Sequence, residues 1–174
     1  KAAWDGGHFR RSIVPVADRN GITILDRDEH IRADTTLDSL AKLEPSFEKI
    51  AKAAGFDRVA LQRYPEIERL EYSHHAGNSS GIVDGAGAVL LGSAKAAAAL
   101  GVKPRARIRA FAAVGEDPTI MLTAPARASR LALQRAGMEV GDVQLWEVNE
   151  AFAAVVLYFM QETGVPHERV NVNG

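Results

Sequence analysis

The segment from Ala151 to Met160 limits the fold more than any other part of the sequence, because every side chain in it is apolar apart from the Tyr158 hydroxyl. A helix that is apolar nearly all round has to be buried among other elements, and Gly164 and Pro166 are suited to end it. The segment is about half as long as a bilayer-spanning helix. It therefore predicts a buried helix inside a layered globular fold, with no membrane span.

Strand and helix patterns alternate in the second half of the chain. Short apolar or alternating runs predict strands at Ala88–Leu91, Arg105–Val114 and Val143–Val148. Helical spacing predicts a helix over Ala126–Ala136 that stops at Gly137, and Ser93 is suited to cap an alanine-rich helix that ends before Gly101. This alternation is typical of α/β layers.

The chain from Lys1 to about Tyr72 is more charged and less regular. Its β-like runs are Ile13–Val16 and Ile22–Leu25, and its helical patterns are Leu37–Leu43 and Phe47–Ala54. This mixture predicts an elaborated α+β segment that ends near a cluster of small residues at positions 77–81.

Charge and cysteine content exclude several classes of function. Lys plus Arg number 21 against 22 for Asp plus Glu, which argues against broad nucleic-acid binding because that depends on an excess of positive charge. The 174 residues contain no cysteine, so disulfides, thiolate zinc sites and thiol nucleophiles are impossible within them, and we expect a cytoplasmic setting. The five histidines lack metal-ligand spacing, so no metal site is predicted.

Asn149 and Glu150 lie where the predicted strand Val143–Val148 meets the buried helix. Ligands collect at this edge in open α/β sheets. An asparagine there is also a favoured helix N-cap, and a glutamate suits the first turn of a helix. Small residues on both sides of Phe152 leave room beside the Asn149 amide for a water or a carbonyl group. The residues themselves leave both interpretations open.

Residues 77–81, Gly-Asn-Ser-Ser-Gly, match the G-x-S-x-G turn of many hydrolases. Asp142 and His167 follow Ser79 in the chain order of a catalytic triad. However, no apolar strand leads into the turn, and the sequence has no H-G-G-G-type oxyanion segment. A serine hydrolase that uses Ser79 is therefore the less favoured alternative to a small-residue loop that lets a ligand approach the backbone.

Four segments together resemble the thiolase family, in particular its acetyl-CoA acetyltransferase branch. Leu40–Phe47 resembles L-A-x-L-x-P-x-F, and Ala76–Gly81, followed by Asp-Gly-Ala at positions 84–86, resembles the A-G-N-[AS]-S-G loop. Asn149–Ala153 is similar to the N-E-A-F-A box, and Val170–Gly174 is similar to the approach to the catalytic G-H-P. The resemblance covers essentially the whole chain.

The resemblance implies an α/β thiolase fold, with layered α/β/α halves and an inserted α+β loop domain, incomplete at both ends. It assigns residues 1–83 to most of the coenzyme-covering loop domain. Residues 84–104 correspond to the final part of the N-terminal thiolase half, and residues 105–174 to the first part of the C-terminal half. We therefore expect the chain to be an internal fragment of a longer protein, since it also opens at Lys1 without Met.

The activity implied by the resemblance is that of an acyl-CoA:acetyl-CoA C-acyltransferase in fatty acid metabolism. Such an enzyme forms or cleaves 3-ketoacyl-CoA, including acetoacetyl-CoA, by a ping-pong mechanism that uses two cysteines and a histidine. None of these three groups falls within the chain, so we expect it to be inactive alone. A non-catalytic acyl-CoA or lipid-binding relative with the same fold is the alternative.

The implied partners are acyl-CoA and acetyl-CoA, and further copies of the protein in a homodimer or homotetramer. The coenzyme A thioesters are substrates, and no separate cofactor, nucleic acid or membrane span is expected. The residues Met121–Pro125 stand where many family members have M-G-x-G-P, which leaves the acyl-chain preference open.

The resemblance also implies roles for individual residues. Asn149 corresponds to the asparagine that holds a water in the oxyanion hole, and Ser80 to the serine that contacts the pantetheine arm. Ala151 and Phe152 would line the pocket for pantetheine and the acyl group, while Ala76 and Ser79 would lie along the coenzyme. Basic residues of the loop domain would bind the phosphates, with Arg58, Arg63, Arg69 and their neighbours undecided.

Overall fold

The computed structural model describes residues 1–174. The chain opens with a short helix, α1, at Ala2–Asp5, and a small antiparallel sheet of two strands follows, β1 at Val16–Ala17 and β2 at Thr23–Leu25. The Asp18 carboxylate shapes the turn between the strands, because it accepts hydrogen bonds from two backbone N–H groups within it. The predicted run Ile22–Leu25 is thus largely a strand, whereas only the last residue of Ile13–Val16 is in one.

Three short helices follow: α2 at Leu37–Leu40, α3 at Glu48–Ala54 and α4 at Phe56–Arg63. Reciprocal hydrogen bonds between Thr36 and Ser39 cap α2, and Gly55 ends α3 with a left-handed φ of 72°. The helical pattern at Phe47–Ala54 is confirmed, and the one at Leu37–Leu43 is confirmed for its first four residues. The sequence patterns did not predict α4, in which the apolar side chains of Phe56 and Val59 are exposed.

Helix α5 occupies Ala94–Ala99, and the Ser93 side chain accepts a hydrogen bond of 3.1 Å from the backbone N–H of Ala96, as the sequence predicts. The strands predicted on either side of it are wrong. Residues 82–92 and 103–116 form no backbone–backbone hydrogen bond, and most of their apolar side chains are exposed. A strand is stable only when neighbouring strands satisfy its backbone groups, and no such neighbour lies beside these residues in the chain.

The core forms around two longer helices, α6 at Ala124–Ala136 and α7 at Ala153–Thr163. Both helices end at glycines with left-handed φ, Gly137 and Gly164, as the sequence indicates. Only eight residues of the chain are buried, and seven of them form one cluster between these helices and the segments that follow: Ala126, Val148, Val155, Val156, Phe159, Val165 and Val170. The ordered interior of this chain is therefore concentrated in its C-terminal third.

Two expectations for this region need correction. Val143–Val148 is not a regular strand, because only Trp146 forms a bridge there, in parallel with Val170. Helix α7 is not buried on every side either, since Leu157 is 61% exposed while Phe159 is 1% exposed. No helix combines the length and the apolar composition that crossing a bilayer requires.

Candidate functional site

The loop at residues 76–81 is hydrogen-bonded to the segment at residues 149–153, and we call these two segments together the junction. The Ser80 N–H donates to the Ala151 carbonyl oxygen at 2.9 Å, and the Ala153 N–H donates to the Asn78 carbonyl oxygen at 2.9 Å. Ser79 and Phe152 face each other between these two bonds as an antiparallel bridge. The fold thus brings together two motifs that are far apart in sequence.

The loop is held in shape by hydrogen bonds of its own. The Asn78 side chain accepts from the His75 N–H at 2.8 Å and donates to the Ser73 carbonyl at 2.9 Å. The Ser79 hydroxyl donates to the His75 carbonyl at 2.8 Å, and the Gly77 N–H donates to Nδ1 of the same histidine at 3.1 Å. Because these four bonds hold its shape, the loop presents a fixed backbone to the start of α7.

An aromatic cluster joins a third motif to the junction. The His74 and Phe152 rings meet edge to face at 4.8 Å between centroids, and Phe47 lies 6.0 Å from Phe152. The Ser46 N–H also donates to the His74 carbonyl at 2.8 Å. Edge-to-face packing of this kind fixes ring orientation as well as burying area. Neither His74 nor Phe47 is among the site residues predicted from the sequence.

Asn149 lies at the surface of the junction, and its side chain makes no hydrogen bond within the chain. It is not a helix cap: α7 starts at Ala153, and the N-cap position is occupied by Phe152 in an extended conformation. The capping interpretation is therefore wrong, because the helix begins later than the sequence pattern indicates. The Asn149 amide is left with its donor and acceptor available to a ligand or a water.

Asn171 ties the fourth motif to the same place. Its Oδ1 accepts from the Val148 N–H at 2.7 Å, and its Nδ2 donates to the Val148 carbonyl at 3.0 Å. Its own backbone N–H donates to the Trp146 carbonyl at 2.9 Å. Asn171 adopts a left-handed φ of 47°, which asparagine tolerates better than most residues. Asn171, which is not among the site residues predicted from the sequence, thus contacts the backbone beside Asn149.

The residues predicted to contact the coenzyme differ in exposure at the junction. Ala76, Ser80 and Asn149 are exposed there, whereas Ser79, Ala151 and Phe152 are half-buried. The first three are open to solvent, and the other three are partly covered by neighbouring residues. Their roles toward coenzyme A stay predictions.

The geometry does not support a serine hydrolase. The Ser79 hydroxyl is directed to a backbone carbonyl rather than to a histidine. The Asp142 carboxylate accepts the N–H of Glu139 at the start of a short 3₁₀ turn, so it does not orient an imidazole. A nucleophilic serine needs a base within hydrogen-bond reach, and the chain does not supply one at Ser79.

Two of the arginines considered for phosphate binding are already paired. Arg63 contacts Asp117 at 2.6 Å, and Arg69 contacts Glu71 at 2.8 Å, while Arg58 has no carboxylate partner. The backbone N–H of Thr119, together with the Arg63 guanidinium, lowers the pKa of Asp117. The Arg63–Asp117 pair therefore links α4 to the segment before α6.

Two consecutive residues in that segment, Met121 and Leu122, have left-handed φ values of 53° and 56°. Such a conformation costs about 1–2 kcal/mol for a residue with a side chain. The Leu122 side chain packs against the core cluster, whereas Met121 is largely exposed. The segment Met121–Pro125, which differs from M-G-x-G-P, is therefore strained at two residues, and one of them packs against the core.

A cavity of about 490 Å³ lies away from the junction and is lined by residues near the chain start and by the acidic turn around Asp28. None of the predicted coenzyme-contacting residues lines it. No group of three or more side chains lies together in a way that could hold a metal ion.

Comparison with known proteins assigns a family to this arrangement. Residues 1–55 match the family model for the thiolase N-terminal domain, and residues 102–174 match the one for the thiolase C-terminal domain. The matched ranges leave residues 56–101 outside both models, so the domain boundaries predicted from the sequence stay predictions.

Individual relatives agree over almost the whole chain. It is 43% identical to an acetyl-CoA acetyltransferase of Shinella zoogloeoides over 100% of its length, and 42% identical to a 3-ketoacyl-CoA thiolase of Pectobacterium carotovorum over 99%. The chain spans only 40% and 41% of those two proteins.

A solved structure confirms the predicted fold. The crystal structure of human mitochondrial 3-ketoacyl-CoA thiolase superposes with a TM-score of 0.80 at 35% identity, over 99% of this chain and 39% of that one. With four motifs gathered by contacts, two matching domain models and a shared fold, the chain belongs to the thiolase family.

Proposed function

We propose that the full natural chain carrying this sequence is an acyl-CoA:acetyl-CoA C-acyltransferase. The observation that carries the proposal is the hydrogen-bonded junction, in which the loop bearing Ser80 lies against the segment bearing Asn149. Relatives named acetyl-CoA acetyltransferase and 3-ketoacyl-CoA thiolase support the same reaction class. In the cleavage direction, a 3-ketoacyl-CoA and coenzyme A give acetyl-CoA and a shortened acyl-CoA.

The chemistry divides between this chain and the remainder of the protein. A cysteine thiolate attacks the 3-keto carbon, the bond between C2 and C3 breaks, and the released electron pair leaves on C2 of acetyl-CoA, where a proton is added. The thiolate of coenzyme A then takes the acyl group from the cysteine. These 174 residues contain no cysteine, so the nucleophile and the acid are supplied by residues outside them.

The contribution of this chain is to bind the coenzyme and to stabilise negative charge. The exposed Asn149 amide holds a water whose O–H is directed at the developing oxyanion. Ser80 contacts the pantetheine arm at the surface of the loop, and Ala76 and Ser79 lie along the coenzyme. Ala151 and Phe152 shape the wall beside the acyl group. No cofactor other than the thioester substrates is required.

We also propose a cytoplasmic, homo-oligomeric enzyme. Its nucleophile must stay a free thiolate, which a reducing compartment preserves. Self-association is the expectation from the family resemblance, and light scattering of the full natural chain tests whether it is a dimer or a tetramer.

The proposal is tested by incubating the full natural chain with acetoacetyl-CoA and coenzyme A and following acetyl-CoA by chromatography. Turnover that is abolished by prior alkylation with iodoacetamide supports a cysteine-based thiolase. The 174-residue chain alone serves as the inactive control. Binding of acyl-CoA without turnover would instead support the non-catalytic relative, and a panel of 3-ketoacyl-CoA lengths measures the chain preference.

A further inference from the structure

We infer that Asn171 is a positioning residue for Asn149, an inference that rests on the proposed function. The side chain of Asn171 holds both polar groups of the Val148 backbone, at 2.7 Å for the N–H and 3.0 Å for the carbonyl. That carbonyl belongs to the peptide unit whose nitrogen is Asn149 N. Since a peptide unit is planar, fixing the carbonyl also fixes the direction in which the chain enters Asn149.

Nothing on the Asn149 side of this peptide performs the same task. The Asn149 side chain is exposed and unbonded, and the next backbone contact along the chain is the Ala151 carbonyl, which accepts from Ser80. The two residues between these anchors are free to rotate unless the Val148 end is held. Asn171 therefore determines where the Asn149 amide points.

The Asn171 side chain suits this task because a single amide both donates and accepts. An aspartate at this position accepts from the Val148 N–H but turns an oxygen toward the Val148 carbonyl. The backbone adds a further restriction, because φ at Asn171 is 47° and most side chains are strained there. Glycine takes this φ without strain. Asn171→Gly therefore removes the two side-chain bonds to Val148, which we call the clamp, and leaves the backbone conformation accessible.

The clamp is anchored to the core rather than to the surface. Val148 and Val170, the residues on which it is built, are both buried. The Trp146 N–H donates to the Arg169 carbonyl at 2.8 Å, and the Asn171 N–H returns a bond to the Trp146 carbonyl at 2.9 Å. The side chain of Asn171 continues this parallel pairing. The backbone that leads into Asn149 is therefore held against the buried core.

A double-substitution cycle in the full natural chain tests the inference, with thiolysis of acetoacetyl-CoA as the assay. We expect Asn171→Gly to lower kcat by about tenfold to a hundredfold, because small misplacements of a catalytic group have effects of this size. The KM for acetoacetyl-CoA should change by less than about threefold. In the Asn149→Ala background the same substitution should change kcat by less than about twofold, since the group it positions is gone.

Ser93→Ala is the matched control, because it also removes a side-chain bond to a backbone N–H but lies outside the junction. It should lower the melting temperature without changing kcat of the folded protein. Should Asn171→Gly fail to fold, Asn171→Asp replaces it, because this variant keeps one of the two bonds. Its kcat should fall when Asn149 is present and should change little in the Asn149→Ala background.

The outcomes separate this inference from the proposed function. Equal loss of kcat in both backgrounds, or no loss in either, overturns the positioning role while Asn149→Ala still lowers turnover. If the unsubstituted protein cleaves no acetoacetyl-CoA, or if Asn149→Ala leaves kcat unchanged, the proposed function or its oxyanion assignment fails, and the inference about Asn171 is overturned with it.

Discussion

Ser80 donates its backbone N–H to the carbonyl oxygen of Ala151 at 2.9 Å, which fixes the small-residue loop against the segment that precedes α7. Neither side chain takes part in this bond. The Ser80 hydroxyl and the Ala151 methyl group thus remain available to a ligand, while the distance between the two segments is fixed by the backbone. A site built in this way is sensitive to changes that move the backbone, and less so to conservative changes of side chain.

Asn149→Ala in the full natural chain should lower kcat by about 10²–10³-fold, which corresponds to about 2.7–4 kcal/mol of transition-state stabilisation. The KM for acyl-CoA should change little, because the oxyanion exists only as the reaction proceeds. Since Asn149 caps no helix and its side chain is unbonded, the melting temperature should stay the same. Steady-state kinetics and thermal melting of one preparation check both statements, and an early-melting variant with normal kcat contradicts them.

Gly77→Ala should displace the loop. A Cβ at this position would meet the end of the Leu40 side chain and would lie 2.9 Å from Leu43 Cδ1. We expect a loss of only about 1 kcal/mol in the free energy of unfolding, at the low end for overpacked sites, because both crowded atoms are the ends of flexible leucine side chains that can turn aside. The KM for acyl-CoA should rise. Gly115→Ala is the control, because nothing lies within 4 Å of its added Cβ. Denaturant melts and binding isotherms that match for the two variants would show that the loop tolerates the methyl group.

Met121→Gly should raise the free energy of unfolding by up to about 1 kcal/mol, because glycine relieves the left-handed strain at φ 53° and the exposed side chain contributes little packing. Leu122→Gly relieves similar strain at φ 56° but also removes contacts with the core cluster, so it should be destabilising. Chemical denaturation of both variants measures the contrast. A destabilised Met121→Gly protein would mean that the strained turn has partners that the chain itself does not contain.

The Tyr72 phenol should lose its proton only at a pH well above the ordinary range for tyrosine. Its hydrogen bond to Asp57, with further contributions from desolvation and the nearby charge, raises the pKa of the Tyr72 phenol to about 12. A group with a raised pKa in the folded state stabilises the protein below its ordinary pKa of 10.0, and this contribution is lost as the pH rises through about 12. Difference absorbance titration against Tyr72→Phe measures the value. Asp57→Asn should return the pKa of Tyr72 toward its ordinary value, and an unchanged titration in that variant contradicts the assigned cause.

Local signals explain which parts of the fold were predictable. Gly137 and Gly164 adopt the left-handed φ that ends α6 and α7, and Ser93 caps the start of α5. These three helices therefore follow from short stretches of sequence. The strand patterns at Ala88–Leu91 and Arg105–Val114 are equally clear, but a strand depends on neighbours that a local pattern does not contain.

The site was predictable only in part, for a related reason. Small residues around Phe152 indicate room beside the Asn149 amide, and the motif resemblance implies site roles for Ser80 and Asn149. The clamp from Asn171 and the contact of His74 with Phe152 depend on chain segments that meet only after folding. Asn149 looked like a helix cap because the apolar run begins at Ala151, whereas α7 begins at Ala153, whose N–H donates to the Asn78 carbonyl of the loop.

The most direct test of the central claim is the intact mass of the full natural chain after brief mixing with acetyl-CoA, followed by peptide mapping of any acetyl group. If the protein is a thiolase, one acetyl group will be found on a cysteine outside these 174 residues, and it will be lost again when free coenzyme A is added. Acetylation of Ser79, or acetyl-CoA binding with no covalent acetyl group at all, would contradict it.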